Sequence, residues 1–281
     1  MFTYEVKLDF CIDDGPAPFR AMVERLGNIV ADTSQAAIWK IDLSKCQYLG
    51  PSAVATLAGI VLNARKRGQI VKFDWPQSPA QLRNYCHYSG LVKLVEMTPD
   101  PVRPDTQSET VPLQVFSQAT VTAHLPITKL IERHVHPAED FGFVLGTCLS
   151  EVMQNVQDHS ESSFGGVASA RFFVSAGEVR IAVVDQGIGI RSSIRAAHPH
   201  VLSTIDALRA VIRGGVSAQS RPNNLGLGLS NLCAMIRHAG GRVMIATGDV
   251  VAAMNPRGTW SFQTIRSFFE GTGVFFTLPV V

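Results

Sequence analysis

The chain has no Cys-x-x-Cys pair: its cysteines, Cys11, Cys46, Cys86, Cys148 and Cys233, are odd in number and far apart. That spacing excludes the common zinc and dithiol motifs and suits buried, reduced thiols. No apolar run reaches the roughly 20 residues needed to cross a bilayer. The start, MFTYEVKLDF, also lacks a basic segment followed by an apolar one, so a cytoplasmic protein without a membrane partner is expected. Charge of one sign is missing too. The net charge is +2, from 25 basic and 23 acidic residues, which gives no argument for a nucleic-acid partner. The 46% hydrophobic and 17% charged fractions are those of a globular protein. There is no Gly-x-x-x-x-Gly-Lys-Ser/Thr loop, and no third glycine completes a dinucleotide fingerprint.

What is present divides the chain. The stretch TPDPVRPDTQSETVP, beginning at Thr98, replaces apolar periodicity with Pro, Ser, Thr and Asp, the composition of a linker. It predicts domains over 1–97 and 115–281, with a linker over 98–114. In the first, AAIWKIDLS predicts a strand, SAVATLAGIVLNARKRGQ a helix ended by Gly68, and IVKFDW a second strand. Strand, helix, strand at this length suits a parallel crossover. A further helix is expected over SPAQLRNYCHYSGLVKLV, capped by Ser78 with Pro79 in its first turn. In the second, helices are predicted over 123–135, 138–158, 202–213 and 228–239. A hairpin joins SARFFVS to EVRIAVVD through Ala176-Gly177, and RVMIATG, TWSFQTI and GVFFTLPVV read as strands. The expected class is α/β, or α+β, throughout.

The chemistry concentrates in three places. In CLSEVMQNVQDHS, helical spacing puts Glu151, Asn155 and Asp158 or His159 on one face, a polar face expected to point inward. Buried polar groups need partners, which a ligand would supply. In VVDQGIGI, Asp185 stands at a strand end where it could accept a hydrogen bond from an exocyclic amine such as that of adenine. Gly187 and Gly189 would let a flat ring approach the backbone; an ordinary tight turn also uses this pattern. In NLGLGLSN, Gly226-Leu227-Gly228-Leu229 opens a helix whose free N–H groups favour phosphate oxygens, although close packing is an alternative reason for the glycines. The pairs His134 with His136 and His198 with His200 stand near prolines without further ligands, so no metal site is expected there.

In this order, Glu-x-x-x-Asn, Asp-x-Gly-x-Gly, Gly-x-Gly-Leu and the Gly-Thr-Gly at 271–273 resemble the GHKL superfamily of ATPases and kinases. That is the Bergerat fold of gyrase, heat-shock-90 chaperones and histidine kinases. The resemblance covers roughly 115–281. It implies a C-terminal Bergerat α/β sandwich with a mixed sheet and a lid over 190–228, binding ATP and Mg2+. Asn155 would ligate the magnesium, Glu151 would be the catalytic base, Asp185 would hold the adenine amine with Gly187 and Gly189 lining the base, and Thr272 would stand nearby. Gly226, Leu227, Gly228 and Leu229 would form the phosphate-binding helix start. No phospho-acceptor His precedes the helix, so the chain departs from sensor histidine kinases and looks like the anti-sigma-factor serine kinases.

Residues 38–75 look like a STAS domain, the module of anti-sigma-factor antagonists, through the strand ending Ile-Asp-Leu-Ser and the serine at a helix start. The N-terminal unit would then be a STAS-like sheet with flanking helices. Ser52 aligns with the serine that such kinases phosphorylate, but where those antagonists read Asp-Ser-Ser-Gly the chain reads Gly50-Pro51-Ser52-Ala53, without the preceding acid. Ser52 therefore either accepts a phosphate or simply caps the helix. The resemblance implies a protein partner, STAS-like, sigma-factor-like or another signalling protein, and admits a homodimer. It leaves open a serine kinase, an ATP-hydrolysing conformational switch or a nucleotide sensor without turnover.

Overall fold

The computed structural model describes residues 3–31, 38–98, 109–117, 122–135, 141–195, 197–214 and 228–280. The N-terminal part runs β1 (Thr3–Lys7), α1 (Pro16–Ala31), β2 (Ile38–Asp42), α2 (Pro51–Lys66), β3 (Ile70–Asp74), α3 (Ala80–Tyr88) and α4 (Leu91–Glu96). It continues as β4 (Thr110–Phe116), α5 (Leu125–His134), α6 (Phe141–His159), β5 (Gly166–Phe173), β6 (Glu178–Asp185) and α7 (Gly189–Arg195). The chain closes with α8 (Thr204–Arg213), α9 (Gly228–His238), β7 (Arg242–Met254) and β8 (Trp260–Pro279). This is a mixed α/β architecture with two sheets. β1, β2 and β3 form a parallel sheet in that order, and a second sheet has the antiparallel order β4-β5-β6-β8-β7.

The crossover from β2 through α2 to the parallel β3 is as the spacing predicts. Several boundaries differ. β4 begins inside the predicted linker, because Thr110 to Phe116 pair with β5 as a sheet edge. The helix expected from Ser78 is two helices, parted at Gly90, which takes a left-handed conformation (φ 79). Its first cap position is Pro79, with no side-chain cap bond, so Ser78 does not cap it. The two C-terminal strands predicted separately are one, β8. Gly271 (φ 79) lets the strand pass a register irregularity opposite Gly248 without breaking.

α2 explains how the layers stack. Its first eleven residues, Pro51 through Val61, are buried on every side, and a helix apolar all round must be covered all round. One side faces the parallel sheet; another packs on β5 and β6. A single apolar core accordingly joins Phe19, Leu26 and Leu57 of the N-terminal part to Val184, Phe269 and Phe275 of the second sheet. The opposite face of that sheet, through Ile181, Val183, Val274 and Phe276, packs on α5, α6, α8 and α9 in a separate core. Alternation along each strand assigns these faces. The five-stranded sheet is thus covered on both sides, and no helix among the described residues is long and apolar enough to cross a membrane.

Candidate functional site

A cleft opens on the α6 side of the sheet. Asn155, Val156, His159, Asp185, Leu229 and Thr272 are among the residues lining it. α6 brings Asn155 and His159 to the same wall because they are four residues apart. Asp158 turns elsewhere, accepting a hydrogen bond from Gln154 Nε2 at 3.0 Å on the exposed side. Glu151 is exposed and absent from the lining. The polar face of α6 therefore meets a cleft mouth, not the core interior that the sequence predicts for it.

Asp185 is the deepest charge in the cleft, only 3% exposed. Its Oδ1 accepts from the Gly187 N–H at 2.9 Å. Burial pushes its carboxyl up to about 7, against the opposing pull of the Gly187 and Thr272 backbone N–H groups. A carboxylate so placed gains from any ligand donor that replaces lost water.

The two glycines beyond Asp185 do different things. A Cβ at Gly187 would lie 1.8 Å from the Ser160 carbonyl oxygen, which accepts from the Ile188 N–H at 2.7 Å. Gly187 is thus required for the turn to pass under the end of α6, and it is absent from the cleft lining. Gly189 lines the cleft with φ 74, a conformation that favours glycine. The Gly-Thr-Gly strand closes the other side. A Cβ at Gly271 would lie within 2.6 Å of Asp185 Oδ1 and of the Gly187 nitrogen, so the two backbones are in direct contact.

At the start of α9, Leu229 lines the cleft and Gly228 abuts α6. A Cβ at Gly228 would stand 2.8 Å from Glu151 Oε2 and 3.7 Å from Asn155 Nδ2. The structure therefore brings Glu151, Asn155, Asp185, Gly228, Leu229 and Thr272 to one side of the sheet. Of the predicted lid over 190–228, residues 196 and 215–227, Gly226 and Leu227 among them, lie outside the described residues; the remainder holds α7 and α8, and Ile190, Ser193, Ile194 and Val211 line the cleft.

Ser52 is elsewhere. It sits on α2, which covers the other face of the sheet, and is 1% exposed. It does not cap α2 either: Gly50 is the N-cap and makes no side-chain cap bond. The capping acid is Asp14, whose Oδ1 accepts from the Ser52 N–H at 2.9 Å. Asp14 also pairs with Arg180 of β6 (3.3 Å), which in turn donates to Tyr48 and Glu178. Burial raises the Asp14 carboxyl above its ordinary range, opposed by Ser52 and Arg180. The acid missing before Ser52 in sequence is thus supplied from a distant loop, which no local motif announces.

Sequence reasoning also misses Thr247. It is 1% exposed, and its Oγ1 donates to the Gly271 carbonyl at 2.8 Å and accepts from the Ile190 N–H at 3.1 Å. The only sequence signal is a threonine among the apolar residues of a buried strand. Of the histidines, His134 stacks on Phe172 at 3.9 Å and His198 packs edge-on to His200; His136 is outside the described residues. The carboxylates of Glu5, Asp42 and Asp74 approach one another on the parallel sheet, where Lys40 pairs with Glu5 and Asp74.

No protein-family model matches the chain, and no curated protein matches it.

Proposed function

We propose that the chain is an Mg-ATP-binding regulatory protein of the GHKL type, in which a Bergerat-like C-terminal unit is fused to a STAS-like N-terminal unit. The observation that carries the reading is the buried Asp185 carboxylate at the base of a cleft shared with Asn155 and Thr272. An adenine amine would supply the donor that this carboxylate lacks from water. Asn155 offers a neutral oxygen, a ligand type that magnesium accepts. The start of α9, with Gly228 and Leu229, offers free backbone N–H groups for phosphate oxygens.

Bound Mg-ATP supplies an electrophilic terminal phosphate whose charge the cation neutralises. Glu151, exposed beside the start of α9, would act as general base, taking the proton from a hydroxyl or water as it attacks that phosphate and ADP departs. Its exposure suits a reactant that arrives from solvent. Under this reading the acceptor is the serine of a separate partner protein, as in the anti-sigma-factor serine kinases.

The second reading is an ATP-hydrolysing conformational switch; the burial of Ser52 weighs only against transfer to the chain's own Ser52. With α2 seated on the sheet, that hydroxyl and the cleft are on opposite faces, so transfer to it requires α2 to leave. Release of inorganic phosphate and labelling of protein by ATP, measured together, separate the two. Both readings expect Glu151→Ala to lower turnover by about a hundredfold or more while retaining nucleotide binding. An unchanged rate would remove Glu151 from the chemistry.

A further inference from the structure

The turns that border the cleft are backed, across the sheet, by the N-terminal part of the chain. On the far side of the sheet, Gly59 of α2 lies against the first limb of the cradle: a Cβ there would sit 3.2 Å from Gln186 Cγ. Gln186 is the residue between Asp185 and Gly187, and its side chain is buried. One turn further along α2, Asn63 Nδ2 donates to Glu270 Oε2 at 2.9 Å, and Arg67, just past the end of the helix, pairs with the other carboxylate oxygen. Glu270 immediately precedes Gly271, whose backbone touches Asp185 and Gly187. α2 therefore holds both limbs from behind, Gln186 on one and Glu270 on the other, and Gly271 closes the ring between them.

We propose that Asn63 and Arg67 are positioning residues for the nucleotide cradle: by fixing Glu270 they set the distance between the Gly271–Thr272 backbone and the Asp185 turn. The proposal rests on the nucleotide-binding reading given above. Its physical basis is that close-packed backbones do not yield independently. Glu270 is partly buried, and burial raises its carboxyl above the ordinary range while Arg67 and Asn63 oppose that rise. Loss of either partner leaves a half-buried carboxylate that moves toward water, and Gly271 is its covalent neighbour. Coupling of this kind is reciprocal, so nucleotide must also tighten α2.

The test uses the full chain and Mg-ATP. Arg67→Ala and Asn63→Ala are each expected to weaken Mg-ATP binding about tenfold, the ordinary range for coupled sites, with the circular-dichroism spectrum unchanged. The charge-exchanged pair Arg67→Glu with Glu270→Arg should recover most of the loss. Arg20→Ala removes an exposed contact between α1 and Gln263, away from this ring, and should leave affinity unaltered. Hydrogen exchange of the α2 amides from Gly59 to Lys66 should slow when Mg-ATP is added to the wild type. If the wild type binds Mg-ATP and both single variants bind it within twofold, with no change in α2 exchange, the inference is overturned while the nucleotide reading stands. Absence of binding by the wild type removes both.

Discussion

Thr247 Oγ1 donates a hydrogen bond to the carbonyl of Gly271 at 2.8 Å, inside the sheet and away from solvent. The same oxygen accepts from the Ile190 N–H, so one hydroxyl joins the Gly-Thr-Gly strand to the first turn of α7. Thr247→Val keeps the shape and deletes both bonds, taking a partner from the part-buried Ile190 N–H and from the Gly271 C=O. A loss of about 2 kcal/mol is expected by denaturant unfolding, with Thr247→Ser restoring most of it. A Val variant as stable as the wild type would show that the hydroxyl does not hold the two turns.

The buried carboxyl of Asp185 costs the fold stability as pH rises. Its carboxyl sits at about 7 in the folded chain against an ordinary 3.8. Such a group is neutral and harmless at low pH; its cost to the fold grows as pH rises above about 4 and levels off once pH exceeds the folded value. Asp185→Asn removes that cost. The variant should match the wild type near pH 4 and exceed it at pH 8 by up to about 4 kcal/mol. Unfolding free energies at several pH values check this, and a gap that does not widen with pH contradicts it.

Asp14 serves two partners at once, the α2 backbone at Ser52 and the Arg180 guanidinium. Asp14→Ala removes the helix cap and one anion from a mostly buried arginine, which keeps Glu178. A destabilisation of about 3 kcal/mol is expected, from the cap and the lost ion pair together. If Asp14→Ala changes unfolding by less than about 0.5 kcal/mol, the loop is not the cap that holds α2.

The parts of the fold legible in the sequence are those with a local signature. Periodicity and punctuation locate α2, α6, the β5–β6 hairpin and α9 within a few residues. β4 hides in a proline-rich stretch because its partner strand starts more than fifty residues later. β8 looks like two strands because Gly271 and Gly273 carry turn chemistry, whereas the chain uses Gly271 to cross an irregularity in register. The all-round apolar character of α2 announces burial without saying what covers it.

The same division applies to the candidate site. Glu151, Asn155, Asp185 and Thr272 fall in short motifs; Asn155, Asp185 and Thr272 line one cleft, and Glu151 stands beside Gly228 at the start of α9. Ser160, which faces Gly187, and Thr247, which ties Ile190 to Gly271, belong to no motif and act through single backbone contacts. Arg67 with Glu270 and Asp14 with Arg180 are separated by 203 and 166 positions. Only the docking of the two sheets through α1 and α2 brings those pairs together.

The measurement that bears most directly on nucleotide binding is calorimetric titration of the wild type and Asp185→Asn with ATP, with and without magnesium. Saturable binding to the wild type, strengthened by magnesium, is expected, with at least a hundredfold loss in a variant that is folded and more stable at pH 8. No heat with the wild type, or equal affinity in the two proteins, would contradict the nucleotide-binding reading.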